Sequence, residues 1–365
     1  MPRLDGLPTM GALTQPGTSE RLLATLPLVA LLLLIGLNAA TQRVLFACGA
    51  PALVDCQALD PTAVYPMAEP LPADDPRQAS RQAGRIIWGF LTALNALAAF
   101  VALTAAAGAI WTARRPHRTT VLAGAALAAL AVTALSLTAP TTYLFLVEPV
   151  LRGVIGSQTA QFGMPGVFGV MNATNVATFV GALLLAVAIC YTIMPPRADP
   201  PAPSAAATEG DPDAPPDPSA ERRSDPIRTL ASIEDQAARV RTLLYIGTLL
   251  LIVGVTRLNA VLAWATTFLP VDAADRAQPF NLAVVSVAGA YYTLTLAAAY
   301  LPAVVVLKRR AKAALARGNT DPQEVRARLE GMQLSFTVKE SFPRILAILG
   351  PLLAGPVGDL IGLLA

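Results

Sequence analysis

Six apolar stretches, each long enough to cross a bilayer, constrain this chain more than any other feature. They cover residues 21–44, 85–111, 119–139, 167–194, 242–269 and 282–307. A helix rises 1.5 Å per residue, so a hydrocarbon core of about 30 Å takes about 20 apolar residues. Backbone groups in lipid must be bonded internally, which leaves helices or a closed barrel. Apolar runs of this length predict helices. The expected fold class is all-α, a polytopic transmembrane helical bundle of about six spans with a small helical cytoplasmic part. Only 14% of the 365 residues are charged, against about 25% in soluble domains. The net charge of +3 gives no reason to expect nucleic acid. The expected partner is the lipid bilayer.

Basic residues set the expected direction of each span. Arg114, Arg115, His117 and Arg118 follow the second stretch, Arg239 and Arg241 precede the fifth, and Lys308, Arg309, Arg310 and Lys312 follow the sixth. Short basic loops stay in the cytoplasm. Six spans put these clusters on that side together with both termini. The expected localisation is the plasma membrane, multi-pass, or the inner membrane in a bacterial source. One feature disagrees. Arg43, Arg77, Arg81 and Arg85 flank or occupy the loop 45–84, which this arrangement places outside. The inverse arrangement would expose the stronger clusters. Residues 21–44 are read as a retained span, because the apolar cores of signal sequences run about 7–15 residues.

Composition divides the chain further. Residues 1–194 form a four-span region with outer loop 45–84. Residues 195–226, rich in Pro, Ala and Asp, bury too little apolar surface to fold and read as a disordered linker. Residues 227–317 form a two-span hairpin with cytoplasmic extensions, and 318–365 a cytoplasmic tail. Asp225-Pro226 starts a helix as N-cap and first-turn proline. Leu230, Ile233, Ala237, Val240 and Leu244 then follow a 3-4-3-4 spacing. Two readings stay open: a stripe packing on its own protein, or a homo-oligomer or protein partner held through 227–244. The helix is expected to run straight into the fifth span, and the sixth to continue inward to about residue 317. Gly318-Asn319 offers a stop, and Asp321-Pro322 starts a further helix. Residues 344–365 are apolar but hold Gly350-Pro351 and Gly355-Pro356, which disfavour a continuous lipid-facing helix. A broken segment packed on protein, an interfacial segment and a seventh span are the alternatives, and the segment is a candidate gate or plug.

Polar residues within the spans are the candidate transport or gating sites. Arg257 is the charged residue well inside a span, with Asn259 two positions on. Such a charge costs a few kcal/mol, so it faces protein or water, or snorkels to the interface. Glu148 is its candidate partner. Asn172, Asn175 and Thr178 lie three apart on one face of the fourth span, and Asn95 lies in the second. They line a polar path or bond helices to one another. Arg77, Arg81 and Arg85 recur every four residues as a basic stripe at the outer mouth. Cys48 and Cys56 share the outer loop and form a disulfide candidate, whereas Cys190 reads as an apolar filler.

No chemistry of an enzyme is assembled. A single histidine, His117, excludes the common multi-imidazole metal and haem sites, so no metal and no cofactor are expected. Asp359, in the broken tail, is a further transport or gating candidate, but it has no second aspartate in another span with which to form a catalytic pair. The leading expectation is a gated channel or transporter for ions or small solutes. The alternative is a non-enzymatic membrane anchor, or regulated effector, that binds a partner through its cytoplasmic helices.

Overall fold

A computed structural model describes residues 77–112, 167–194, 226–268, 271–317 and 342–354, with isolated positions at 29, 123, 124, 126 and 331. The described residues are almost wholly helical. They form α1 (Arg77–Thr112), α2 (Val167–Ile193), α3 (Pro226–Thr266), α4 (Val271–Arg317) and a shorter α5 (Phe342–Ala354). The four long helices are each long and apolar enough to cross a membrane. At 1.5 Å per residue they measure from about 40 Å for α2 to about 70 Å for α4, so all but α2 overrun the hydrocarbon core by several turns. The first and third expected spans, loop 45–84, the linker as far as residue 225 and the helix expected after Asp321 lie outside the described residues, apart from the isolated positions.

Side-chain contacts fix the helix directions. Trp88 of α1 stacks on Trp264 of α3, with ring centroids 5.5 Å apart. At the other end, Arg239 of α3 donates a hydrogen bond to Thr112 Oγ1 of α1 at 2.8 Å. α1 and α3 are therefore antiparallel. Arg310 of α4 donates to the backbone carbonyl of Ile193 and so satisfies an acceptor that the end of α2 leaves open. The ends of α1 and α2, the start of α3 and the end of α4 thus meet at one basic end. α1 and α2 run in the same direction, and α3 and α4 form an antiparallel hairpin.

α3 is the hub, packing against α1, α2 and α4. Its 3-4-3-4 stripe is buried. Leu230, Ile233, Ala237, Val240 and Leu244 share one apolar cluster with Ile110 of α1, Ile193 of α2 and Ala311 and Leu315 of α4. The stripe is used inside the protein, the first of its two sequence readings. Its opposite face carries the Asp235–Arg239 ion pair, 2.9 Å, at the i,i+4 spacing. An exposed pair of this kind adds only about 0.3–0.5 kcal/mol.

α4 starts eleven residues before the apolar run at 282 and contains Pro279 and Pro302. Proline removes a backbone donor from the helix. α5 is too short to cross a bilayer. Its Arg344 is buried and hydrogen-bonded to Tyr300 of α4. Higher up, a side chain on Gly289 of α4 would stand 2.7 Å from the carbonyl oxygen of Pro351, and one on Gly350 2.8 Å from Ile252 Cδ1 of α3. Only glycine permits the first approach, which is to backbone, whereas at Gly350 the flexible end of Ile252 would have to shift. α5 therefore rises from the basic end, antiparallel to α4, and Ala354 reaches the same cluster as Val255 and Val285. Of the three readings of the tail, the described part follows the first in packing on protein, but α5 runs unbroken through Gly350-Pro351, where a break was expected. Residues 355–365, Asp359 among them, lie outside the description.

Candidate polar site between four helices

The half of the bundle remote from the basic end holds a polar seam. Arg257 is only 6% exposed. Its guanidinium donates hydrogen bonds to Thr174 Oγ1 and to Asn175 Oδ1 of α2. The snorkelling alternative is thereby set aside: the head group turns into the protein. Both acceptors are neutral oxygens of α2, and these bonds hold the guanidinium against that helix. Two threonine hydroxyls prepare the α2 face. Thr174 bonds back to Val170 and Met171 carbonyls at 2.8 and 3.0 Å, and Thr178 to the Thr174 carbonyl at 2.8 Å. Back-bonding satisfies these hydroxyls within their own helix and leaves their oxygens to accept from a neighbour.

Asn95 of α1 closes the same layer. It is fully buried and donates to Thr178 Oγ1 at 2.9 Å. Gly254 of α3 makes room for it. A methyl group there would lie 3.7 Å from Asn95 Oδ1, 3.7 Å from the Tyr292 ring and 3.8 Å from Thr178 Cγ2. Alanine would fit that space, and a longer side chain would enter the seam. Asn95, Thr174, Thr178, Arg257 and Tyr292 thus line one layer contributed by four helices.

Two turns toward the far end stands an aromatic layer. Trp88 and Trp264 stack nearly parallel, 20° apart, and Trp264 meets Phe268 edge to face at 5.9 Å. Such pairs add about 0.5–1.5 kcal/mol each beyond their burial. Gly84 lets α1 close on the indole: a side chain at Gly84 would stand 2.9 Å from Trp264 Cδ1. Arg81 covers the layer, its guanidinium 4.5 Å from the Phe268 centroid, and its Nε donates to the Thr267 carbonyl at 3.2 Å. One member of the basic stripe therefore caps α3 and shields its aromatic end.

Between these layers the polar inventory is incomplete. Among the described residues, Trp88 Nε1, Trp264 Nε1, Thr92 Oγ1 and Asn95 Oδ1 are buried without a hydrogen-bond partner. A buried polar group left unmade costs about 1–3 kcal/mol. Natural structures rarely cluster four of them without a reason. Trp88, Thr92 and Asn95 are spaced 4-3 along α1, and Arg257 and Trp264 lie seven apart on α3, so each set shares one helix face.

The sequence named Arg257, Asn95, Asn175 and Thr178, and the structure brings them together. The pairing of Asn95 with Thr178 was not legible from spacing. The Asn172 side chain lies outside the description, although its backbone belongs to α2. Asn259 projects from a different face of α3 than Arg257, since two residues turn a helix by about 200°, and is half-buried. Glu148, Cys48 and Cys56 lie outside the described residues. Trp88, Thr92, Thr174, Trp264 and Tyr292 were missed. Trp264 is only 5% exposed and faces α1. The 4-3 spacing of Trp88, Thr92 and Asn95 was the available signal, and an alanine-rich helix hides it. Comparison with family models, curated proteins and solved structures matches none of them to this chain.

Proposed function

We propose that this multi-pass membrane protein is a gated carrier or channel that takes a small polar or charged solute into the seam at Arg257. The observation that carries the reading is the seam itself. It holds a membrane-embedded guanidinium and unsatisfied buried polar groups, and it lies in only one half of the bundle. A bundle serving only as an anchor gains nothing from them: a polar contact between membrane helices adds only about 0.6 kcal/mol. The stripe at 227–244, which would recruit a partner, is turned into the core, and this favours transport over anchoring.

The gathering of the basic residues at one end supports the basic end as cytoplasmic, with the seam opening outward. The parallel course of α1 and α2 supports an odd number of crossings between them, in keeping with the apolar run at 119–139. α5 is the gating element in this reading. It enters from the basic end and stops one layer from Tyr292, where Arg344 and the glycine contacts hold it against α3 and α4.

The test is solute flux in liposomes containing the full chain, with inserted protein verified by protease protection. Flux that falls with Arg257→Gln and changes on truncation before Phe342 is expected. Absence of flux from correctly inserted protein, across ionic and neutral solutes, would reject the reading and return the search to the anchor.

A further inference from the structure

The outer face of α4 carries a second pattern, separate from the seam. Val287, Leu294, Leu301 and Val305 are exposed, and Arg309 and Lys312 are exposed beyond them. Spacings of seven, seven, four, four and three put all six side chains on one face of the helix. Ala303, Leu307, Ala311 and Ala314, on the opposite face, pack in the core. The stripe therefore looks away from the protein, and in a bilayer its apolar part lies against acyl chains.

The two cations stand where those chains meet their head groups. The apolar run of α4 ends at Leu307, and Arg309 and Lys312 follow within about 8 Å at 1.5 Å per residue. Arg310, in the same turn, reaches the Ile193 carbonyl, so this turn is level with the end of α2. Trp111, exposed at the end of α1, marks the same boundary, since indoles gather at head-group level. No acid of α4 competes for the cations, because 276–317 contains no aspartate or glutamate. Among the described residues the ion pair at this end, Asp235–Arg239 of α3, uses neither of them.

We infer that this face of α4 binds a phospholipid of net negative charge, with an acyl chain along Leu294, Leu301 and Val305 and the phosphate between Arg309 and Lys312. An arginine fork matches two phosphate oxygens at once, and lysine adds a point charge. Lys308 and Arg310 flank the pair, and four cations directly after a span are the pattern that anionic lipid recognises. Phosphatidylcholine offers the same phosphate but brings its own ammonium, which opposes the second cation. Each basic side chain close to an anionic surface strengthens the attraction about fivefold. The site stands whether or not the seam passes a solute.

A tryptophan in the stripe reports which lipid lies against it. Trp111→Phe removes the exposed native indole, while Trp88 and Trp264, buried in the seam, remain as a constant background. Leu301→Trp in that chain places a reporter about 12 Å below Arg309. The full chain is reconstituted in phosphatidylcholine vesicles with a growing fraction of brominated phosphatidylglycerol or, in parallel, of brominated phosphatidylcholine. Bromine quenches an indole only at contact. Phosphatidylglycerol should be preferred at residue 301 at least about fivefold. The preference should fall to within about twofold in Arg309→Gln/Lys312→Gln. Val287→Trp, on the same face toward the far end, should show a preference within about twofold. Protease protection checks the insertion of each variant, and Lys312→Gln alone, with a partial loss, carries the test if the double variant inserts wrongly. Equal quenching by the two lipids at 301, or a preference that survives the correctly inserted double variant, would overturn the site. So would the same preference at 287 as at 301, which is a property of a charged bilayer as a whole. Inorganic phosphate, with ionic strength held by chloride, should leave the preference unchanged. Its loss would mean that the cations hold a soluble anion and not a lipid.

Discussion

From Ala98 to Ile110, α1 packs against its neighbours with Ala98, Ala99, Ala102, Ala106 and Ile110, all buried. From Trp88 to Asn95 the same helix buries one indole, one hydroxyl and one amide, those of Trp88, Thr92 and Asn95. The first half is a small-residue zipper. Gly181 of α2 lies so close to α3 that a methyl there would stand 3.1 Å from Leu250 Cδ2. Lipid tails are as apolar as leucine, so membrane helices associate through close packing of this kind. The second half gives up packing for polar groups that the described residues do not fully satisfy. The difference separates two jobs: the basic half holds the helices together, and the far half keeps a place for something polar.

This contrast can be broken most severely at Arg257. Arg257→Gln should lower liposome flux about tenfold or more, equivalent to about 1.4 kcal/mol, with helix content unchanged. Unaltered flux would mean that the seam is a structural contact like the zipper. The reciprocal change is Ala106→Leu, which overfills the packed half. It should destabilise the bundle by about 1–3 kcal/mol, read as an earlier thermal transition in detergent. If folded Ala106→Leu protein also loses flux, as Arg257→Gln does, the two halves are not separable.

Gly289→Leu sharpens the role of α5, because the Pro351 carbonyl occupies the space the new side chain needs. Amide exchange over 342–354 should rise about tenfold, and flux should change with it. Faster exchange at constant flux would make α5 a docking segment and remove it as a gate. The smallest expected effect is that of Thr178→Val, which removes the acceptor for Asn95. It should cost about 0.6 kcal/mol in unfolding while changing flux little. A large loss of flux from this variant would move the site's centre from Arg257 toward Asn95.

Much of the framework was legible in the sequence because it follows from local chemistry. Apolar length located four long helices, whose observed ends lie zero to sixteen residues from the apolar runs. The larger departures came at α1, α3 and α4, whose polar end turns continue the helix outside the apolar run. The continuous helix from the linker into α3 was expected, as was the extension of α4 to residue 317. At the site, Arg257 stood out because a charge in an apolar run is costly wherever it points. Its partners did not stand out, because threonine and asparagine in a span read equally as path or as glue.

The sequence by itself determined that helices of this length and polarity must lie in a bilayer, and that a buried arginine among them needs polar company. Those are properties of single segments, set by hydration and backbone bonding. Which side chains supply that company was decided only by the tertiary structure. The antiparallel register of α1 on α3 puts Trp88 on Trp264, the parallel course of α2 brings Thr174 and Asn175 to Arg257, and Gly254 leaves space for Asn95. Register between helices depends on how whole surfaces interlock, and no periodicity within one helix specifies the face of another.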